Sequence, residues 1–182
     1  MGRHNEADVA IRRALEIEPL SLPVNWFYGI HLYVARDHDA SVRQLRKTVE
    51  LDPGFVRGYV SLADALILNR EYAEAIEQLA KEQELEGNQT KAAYVREKCG
   101  AVSWQECWRT LTGKNSPVEL SPYTLARMFA EIGEKDKAFA ELERSFEIRQ
   151  APFLRLKVDP RLDNLRGDPR YAELVKKVGF PE

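Results

Sequence analysis

Apolar residues recur at helical spacing in one segment of this chain after another. In residues 5–18 they fall along one stripe of a helix, with polar residues opposite. The same pattern predicts further helices over residues 24–36, 40–51, 56–68, 72–85, 92–100 and 104–111. It resumes from residue 121 to residue 148 and returns in short segments at 161–165 and 169–178. The pattern therefore predicts an all-α fold.

Three helix-ending signals lie 34 residues apart, at Glu18-Pro19, Asp52-Pro53 and Glu86-Gly87. Proline and glycine both end helices, and a small residue upstream of each signal allows a close approach of two helices. A fixed period of this length is typical of stacked helix hairpins. Because the connections are short, we expect antiparallel neighbours. The predicted pairs cover residues 24–51, 56–85, 90–112 and 122–148.

This layout resembles the tetratricopeptide repeat (TPR). The unit that carries the resemblance best has its small and large apolar positions at Tyr59, Leu62, Ala63, Leu66, Tyr72, Ala75 and Leu79. The resemblance implies a right-handed superhelical stack of antiparallel helix hairpins, a TPR-like α-α superhelix. Three residues depart from the pattern, since Ser41, Thr48 and Glu82 stand where the repeat has alanine.

The resemblance also implies one array that spans residues 1–182. Its parts are a half repeat at 1–19, repeats at 22–55 and 56–87, a degenerate repeat at 88–113, a repeat at 119–150 and capping helices at 160–182. The helix at residues 5–18 has no first helix before it. We therefore expect the chain to be the end of a longer array, cut through a hairpin.

The second half of the chain resembles a more specific class of repeat region. Its features are a Trp-containing hairpin after Ala101, a Ser-Pro-Tyr helix start, a Gly-Glu-Lys-Asp-Lys-Ala turn and a closing Val-Asp-Pro-Arg to Asp-Pro-Arg-Tyr run. They resemble the C-terminal repeat region of large bacterial regulatory proteins, in which a winged-helix DNA-binding domain or a protein kinase domain precedes the repeats. This sequence contains neither domain, so no DNA-binding or kinase residue can be carried over.

Composition narrows the function classes. The chain has 27 basic and 29 acidic residues, so no broad electrostatic field favours nucleic acid or acidic lipid. No apolar run approaches the roughly 18 residues of a spanning helix, and the N-terminal residues lack the apolar segment of a signal peptide. The two cysteines do not make a disulfide framework, which fits a reducing compartment. These observations predict a cytoplasmic protein without a membrane or a direct nucleic-acid partner.

No catalytic constellation stands out in the sequence. Imidazole and thiolate groups suit zinc, and the candidates are His4, His31, His38, Cys99 and Cys107. Their scatter lacks the spacing of zinc motifs, and Cys107 reads as a core thiol rather than a nucleophile. We therefore predict no catalytic residue, no cofactor and no metal, and a protein that is not an enzyme.

A binding surface is the remaining candidate for function. In TPR-like arrays the first helices face the concave surface, and translation of the layout gives the partner-binding candidates Trp26, Ile30, Tyr33, Arg57, Val60, Ser61, Asp64 and Ile67. Such a face binds an amphipathic or extended segment, or it packs against a neighbouring repeat. The predicted function is a scaffold for protein–protein interaction that binds a peptide or protein segment on its concave face. The second resemblance implies a role in bacterial signalling. The alternative is an accessory regulatory or oligomerisation segment of a larger bacterial transcriptional regulator or kinase, with self-association through the N-terminal edge at Val9, Ile11 and Leu15.

Overall fold

The computed structural model describes residues 4–179, so the outermost residues of the predicted half repeat and capping helices lie outside the described part. The α-helices are α1 (His4–Ile17), α2 (Leu22–Ala35), α3 (His38–Leu51), α4 (Val56–Leu68), α5 (Tyr72–Leu85), α6 (Gln89–Cys99), α7 (Trp104–Leu111), α8 (Pro122–Glu131), α9 (Lys135–Glu147) and α10 (Pro169–Val178). Two 3₁₀ helices cover Ala151–Arg155 and Pro160–Leu165. Residues 4–179 contain no β-strand, so the prediction of an all-α fold is confirmed.

The turn between the two helices of a pair has one geometry at three places. Arg36, Arg70 and Gly133 all adopt the left-handed conformation, with φ of 67°, 64° and 81°. At each turn the following amide donates to a carbonyl five residues back, as in Asp37 N to Leu32 O at 3.0 Å. This left-handed closure satisfies carbonyls that the helix end leaves without partners. At Arg36 and Arg70 this conformation has an energetic cost, because the left-handed region is unfavourable for a residue with a Cβ atom.

The chain divides into two compact units, Met1–Ala101 and Val102–Glu182. In the first unit α1 to α5 each pack against the next helix, and α2 also contacts α4. Helices α2 and α3 approach so closely that a Cβ added at Gly29 would lie 2.5 Å from Leu45 Cγ. Ser41, one of the departures from alanine, donates its hydroxyl to the Gly29 carbonyl at 2.9 Å. The hydroxyl therefore links the two helices at their closest contact.

The second unit is built on the pair α8 and α9. Helix α7 and the 3₁₀ helix Pro160–Leu165 pack against α8, while α10 packs against α9. The buried core of this unit consists of Tyr123, Ala126, Phe129, Ala130, Ala138, Phe139, Leu142, Phe153, Leu156, Leu162, Leu165, Tyr171 and Leu174. Side chains of Ser121 and Asp168 accept from backbone amides at the starts of α8 and α10. The predicted degenerate repeat at 88–113 includes the boundary between the two units. Helix α6 belongs to the first unit, and α7 belongs to the second.

Candidate functional site

The predicted partner-binding residues lie on α2 and α4 with different degrees of burial. Arg57 is exposed. Half-buried positions are Trp26, Ile30 and Val60. Buried positions are Tyr33, Ser61, Asp64 and Ile67. The Tyr33 side chain is only 2% exposed and packs within the first unit, so the surface available on α2 is smaller than the sequence predicts.

Trp26 connects the two first helices. Its indole N–H donates to the Ser61 hydroxyl at 2.9 Å, and Ser61 in turn donates to the Arg57 carbonyl at 2.8 Å. The indole ring also packs edge-on against Phe55, with the ring centroids 5.7 Å apart. The structure therefore brings Trp26, Ser61 and the backbone of Arg57 together, and Trp26 has a packing role besides any surface role.

Carboxyl groups of α5 and its C-terminal end lie near the buried Asp64. The pKa of Glu82 on α5 is raised from 4.5 to about 7, chiefly by burial and in smaller part by the nearby carboxylates of Glu86 and Asp64. The side chain of Gln83 acts in the opposite direction by hydrogen bonding. Glu82 is the third departure from alanine in the repeat pattern, and this one has a cost in free energy at neutral pH.

An apolar groove with a volume of about 490 Å³ lies between α1 and α2. It is lined by Ala10, Ile11, Ala14, Val24, Phe27, Ile30, His31 and Val34. Phe27 is 56% exposed, which is unusual for a side chain of this size. Among the lining residues only Ile30 belongs to the predicted set. The sequence signal that could have identified the groove is the apolar stripe of α1, which includes Ile11 and Ala14.

Charged residues beside the groove pair with one another. Arg12 Nε lies 2.7 Å from Asp8 Oδ2, and His31 Nε2 lies 3.6 Å from the other oxygen of Asp8. The hydrogen bond that Arg12 donates to Asp8 raises the pKa of Arg12, and the Tyr28 ring lies 5.6 Å from the guanidinium. This cluster joins α1 to α2 and leaves an apolar floor in the groove.

Buried polar side chains of the second unit form hydrogen bonds that hold its elements together. Trp108 Nε1 donates to Glu131 Oε2 at 2.6 Å, and the same carboxylate accepts from Arg161 Nη2 at 3.2 Å. Nearby, the Tyr123 hydroxyl donates to Asp159 Oδ2 at 3.0 Å. Burial, together with the Asp159 carboxylate, raises the pKa of Tyr123 well above 10. Each of these groups has a partner within the unit, as buried polar groups require.

Of the residues weighed for metal binding or nucleophilic chemistry, the side chain of His4 lies outside the described part of the chain. No group of three His, Cys, Asp or Glu side chains within the described residues could hold a metal ion. Cys99 and Cys107 are both disulfide-bonded, so the prediction that Cys107 is a thiol is wrong, although its side chain is buried as expected. The compositional argument for a reducing compartment therefore loses its support.

Among the described residues, none of the helices is both long and apolar enough to cross a membrane. Comparison of the chain with models of protein families finds no match, and comparison with curated proteins finds none.

Proposed function

We propose that this chain is a TPR-like superhelical array that binds another polypeptide on the face of its first helices. The observation that carries the proposal is the open apolar groove between α1 and α2, which continues onto Ile30 of the predicted face. Exposed apolar area of this kind marks interaction sites more often than ordinary surface. The 34-residue recurrence of signals and the repeated turn at Arg36 and Arg70 support the repeat assignment.

Apolar burial provides the binding energy in this proposal, and the flanking charge of Arg57 orients the partner. Apolar anchors at the centre of an interface contribute most of its affinity, whereas rim charges act on orientation and association rate. Arg57 is exposed beside the half-buried Val60, which gives the face one cationic position next to apolar ones. No catalytic role, cofactor or metal enters the proposal.

Affinity capture with purified variants tests this proposal. We expect immobilised wild-type chain to retain a specific set of proteins from an extract, and Arg57→Glu and Trp26→Ala to lose them. The loss for Trp26→Ala should be about 2 kcal/mol, as for an anchor residue. Because Trp26 also bonds to Ser61, its variant must first be shown to keep its helicity and its melting temperature within a few degrees. Glu173→Lys, an exposed charge change in the second unit, is the control and should retain the set. Equal retention by all variants would contradict the proposed face.

The second candidate function is self-association, in an accessory segment of a larger bacterial regulator or kinase. It is favoured by Val9 and Ile17, which are 69% and 67% exposed on α1. Sedimentation velocity of the purified chain decides between the two. A dimer that Val9→Asp dissociates would favour this candidate, and a monomer at all concentrations would favour partner binding.

A further inference from the structure

Helix α4 is open to solvent along a short strip at its N-terminal end. Residues 58–67 are buried except Val60, which is half-buried, and Arg57 beside it is exposed. The Arg57 guanidinium forms no ion pair or hydrogen bond within the part of the chain that the structure describes. Arg46 of the same unit differs, because it pairs with Glu74 at 2.6 Å. Arg57 is therefore a cation available to a partner, next to an apolar position.

The strip recurs on neighbouring first helices at the period of 34 residues. Arg57 corresponds to Lys91 on α6, so α4 and α6 both have a cation in their first turn. Val60 corresponds to Trp26 on α2 and to Tyr94 on α6, and all three are half-buried. The first helices therefore present a cationic row (Arg57 and Lys91) and an apolar row (Trp26, Val60 and Tyr94).

A hairpin stacked before α1 would not cover these rows on α4 and α6. Each hairpin of a stack packs only against the adjacent ones, so a preceding hairpin would lie against α1 and α2. Helix α4 already has α2, α3 and α5 as neighbours, and the Trp26 N–H of α2 donates to its Ser61 hydroxyl at 2.9 Å. Arg57 stays exposed with these neighbours in place. An occupant of the strip therefore comes from outside the stack.

The carboxyl group on this side of α4 lies away from the cationic row. Asp64 is 7% exposed and follows Arg57 by seven residues, which is about 10 Å along the helix axis. A segment that crosses the first helices at the level of Arg57 and Val60 therefore meets cations along one edge and apolar side chains beneath it. This arrangement is complementary to a segment with acidic and apolar residues.

The spacing of the helices determines the period of such a segment. Packed helices lie about 8 to 10 Å apart. A polyproline II segment advances about 3.1 Å per residue with three residues per turn, so each of its faces returns about every 9 Å. One face then meets the cationic row on successive helices, a second meets the apolar row, and the third faces solvent. Its backbone stays solvated, so it requires no hydrogen bonds from the helices.

We propose that the two rows bind an extended segment of another polypeptide in which an acidic and an apolar residue each recur at every third position. The inference rests on the proposed function and specifies the chemistry of its partner. Carboxylates of the segment pair with Arg57 and Lys91, while its apolar side chains pack on Trp26, Val60 and Tyr94.

The test uses the full-length chain and a fluorescently labelled peptide of repeated Glu-Leu-Pro triplets. We expect saturable binding in an anisotropy titration, and weaker binding as salt is raised, because exposed charge pairs are screened. A peptide of Gln-Leu-Pro triplets has the same shape without the charges. It should bind about fivefold more weakly, which is the size expected from the loss of two exposed charge pairs.

Variants of the chain locate the site. Arg57→Glu should weaken binding of the Glu-Leu-Pro peptide about tenfold, because it replaces an attraction with a repulsion. Arg43→Glu is the matched control, since Arg43 is an exposed arginine of α3 and the change in net charge is the same. It should leave binding within about twofold, as expected for a surface substitution outside a site. Tyr94→Ala should weaken both peptides about tenfold, as removal of an apolar anchor does.

A reversal of charge tests the pairing directly. The double variant Arg57→Glu, Lys91→Glu should bind a peptide of Lys-Leu-Pro triplets more tightly than the Glu-Leu-Pro peptide, which is the opposite of the wild-type preference. Each variant is compared only after its helicity and melting temperature have been shown to match those of the wild type.

Several outcomes would overturn the inference. They are the absence of binding by the Glu-Leu-Pro peptide, equal binding by the Gln-Leu-Pro peptide, and an equal loss with Arg43→Glu and Arg57→Glu. A dimer of the chain that Arg57→Glu dissociates would show that a second copy occupies the rows, and would also overturn it. Protein capture that Trp26→Ala abolishes while the peptide fails to bind would leave the proposed function standing and remove only this inference.

Discussion

Replacing Glu82 with glutamine should stabilise the protein at pH 8 and change little at pH 4.5. In the folded chain the pKa of Glu82 is about 7, against 4.5 for an ordinary glutamate, because the carboxyl is buried and faces the carboxylates of Glu86 and Asp64. Between these two pH values the folded state binds more protons than the unfolded state. The free energy of unfolding therefore falls as pH rises through this window.

The magnitude follows from the size of the shift. A displacement of the pKa from 4.5 to about 7, at roughly 1.4 kcal/mol per pKa unit, gives a cost of about 3 kcal/mol once Glu82 is ionised. Glutamine has nearly the same shape and carries no charge. Glu82→Gln should therefore recover up to about 3 kcal/mol above pH 7 and almost nothing below pH 4.5, where both states carry the protonated acid.

Urea unfolding of the full-length chain, followed by far-UV circular dichroism at a series of pH values, measures the effect. The matched control is Glu50→Gln on α3, an exposed side chain whose replacement should change the free energy of unfolding by less than about 0.5 kcal/mol. A second variant, Asp64→Asn, removes one of the carboxylates that raise the pKa of Glu82. In this variant the pKa of Glu82 should lie closer to 4.5, so the pH-dependent loss of stability should be smaller than in wild type. Curves of wild type and Glu82→Gln that run parallel across the pH range would refute the reasoning.

Three further substitutions test the packing, each by thermal and urea denaturation of the full-length chain. Ala75→Leu should destabilise by about 1 to 3 kcal/mol because Ala75 is fully buried in the α4–α5 pair, and an unchanged midpoint would show that the repeat register is wrong. Gly29→Ala should cost a similar amount, about 1 to 3 kcal/mol, because its Cβ would lie 2.5 Å from an atom of α3. Glu131→Gln should cost about 2 to 4 kcal/mol, since it removes the carboxylate that pairs with Arg161, a guanidinium only 2% exposed. Glu143→Gln, an exposed change on α9, is the control, and a loss as large as that of Glu131→Gln would show that the buried pair is not the cause.

The helices were predictable because their signals are local. Apolar spacing and the ending residues at Pro19 and Pro53 depend only on nearby sequence, and the ends of α3, α4 and α5 agree with the predicted ones. The 3₁₀ helix Ala151–Arg155 was not predicted, since a single turn of this kind is too short to show a period.

The surface was harder to predict than the helices. Spacing along α2 shows that Trp26, Ile30 and Tyr33 share one side of the helix, but it does not show which neighbouring helix covers each of them. Tyr33 is buried within the unit, and Trp26 bonds to Ser61, which is 35 residues away. Phe27, by contrast, is exposed because it projects into a groove that no described helix covers. Exposure is thus a property of the assembled neighbours, and sequence spacing alone cannot provide it.

Polar residues stand at three positions where the repeat pattern has alanine, and their effects on stability differ. Ser41 donates to the Gly29 carbonyl across the α2–α3 contact, and Thr48 donates to the Gln44 carbonyl of its own helix at 2.9 Å. Both hydroxyls are buried and hydrogen-bonded, so the polar atom costs little. Glu82 differs because, among the groups that act on it, only the Gln83 side chain favours its ionised form. A small polar group can replace alanine in a tight helix contact if a backbone carbonyl lies within reach, whereas a carboxylate needs a cation or a proton. Among the three residues, we therefore expect only Glu82 to make the stability of the protein depend on pH.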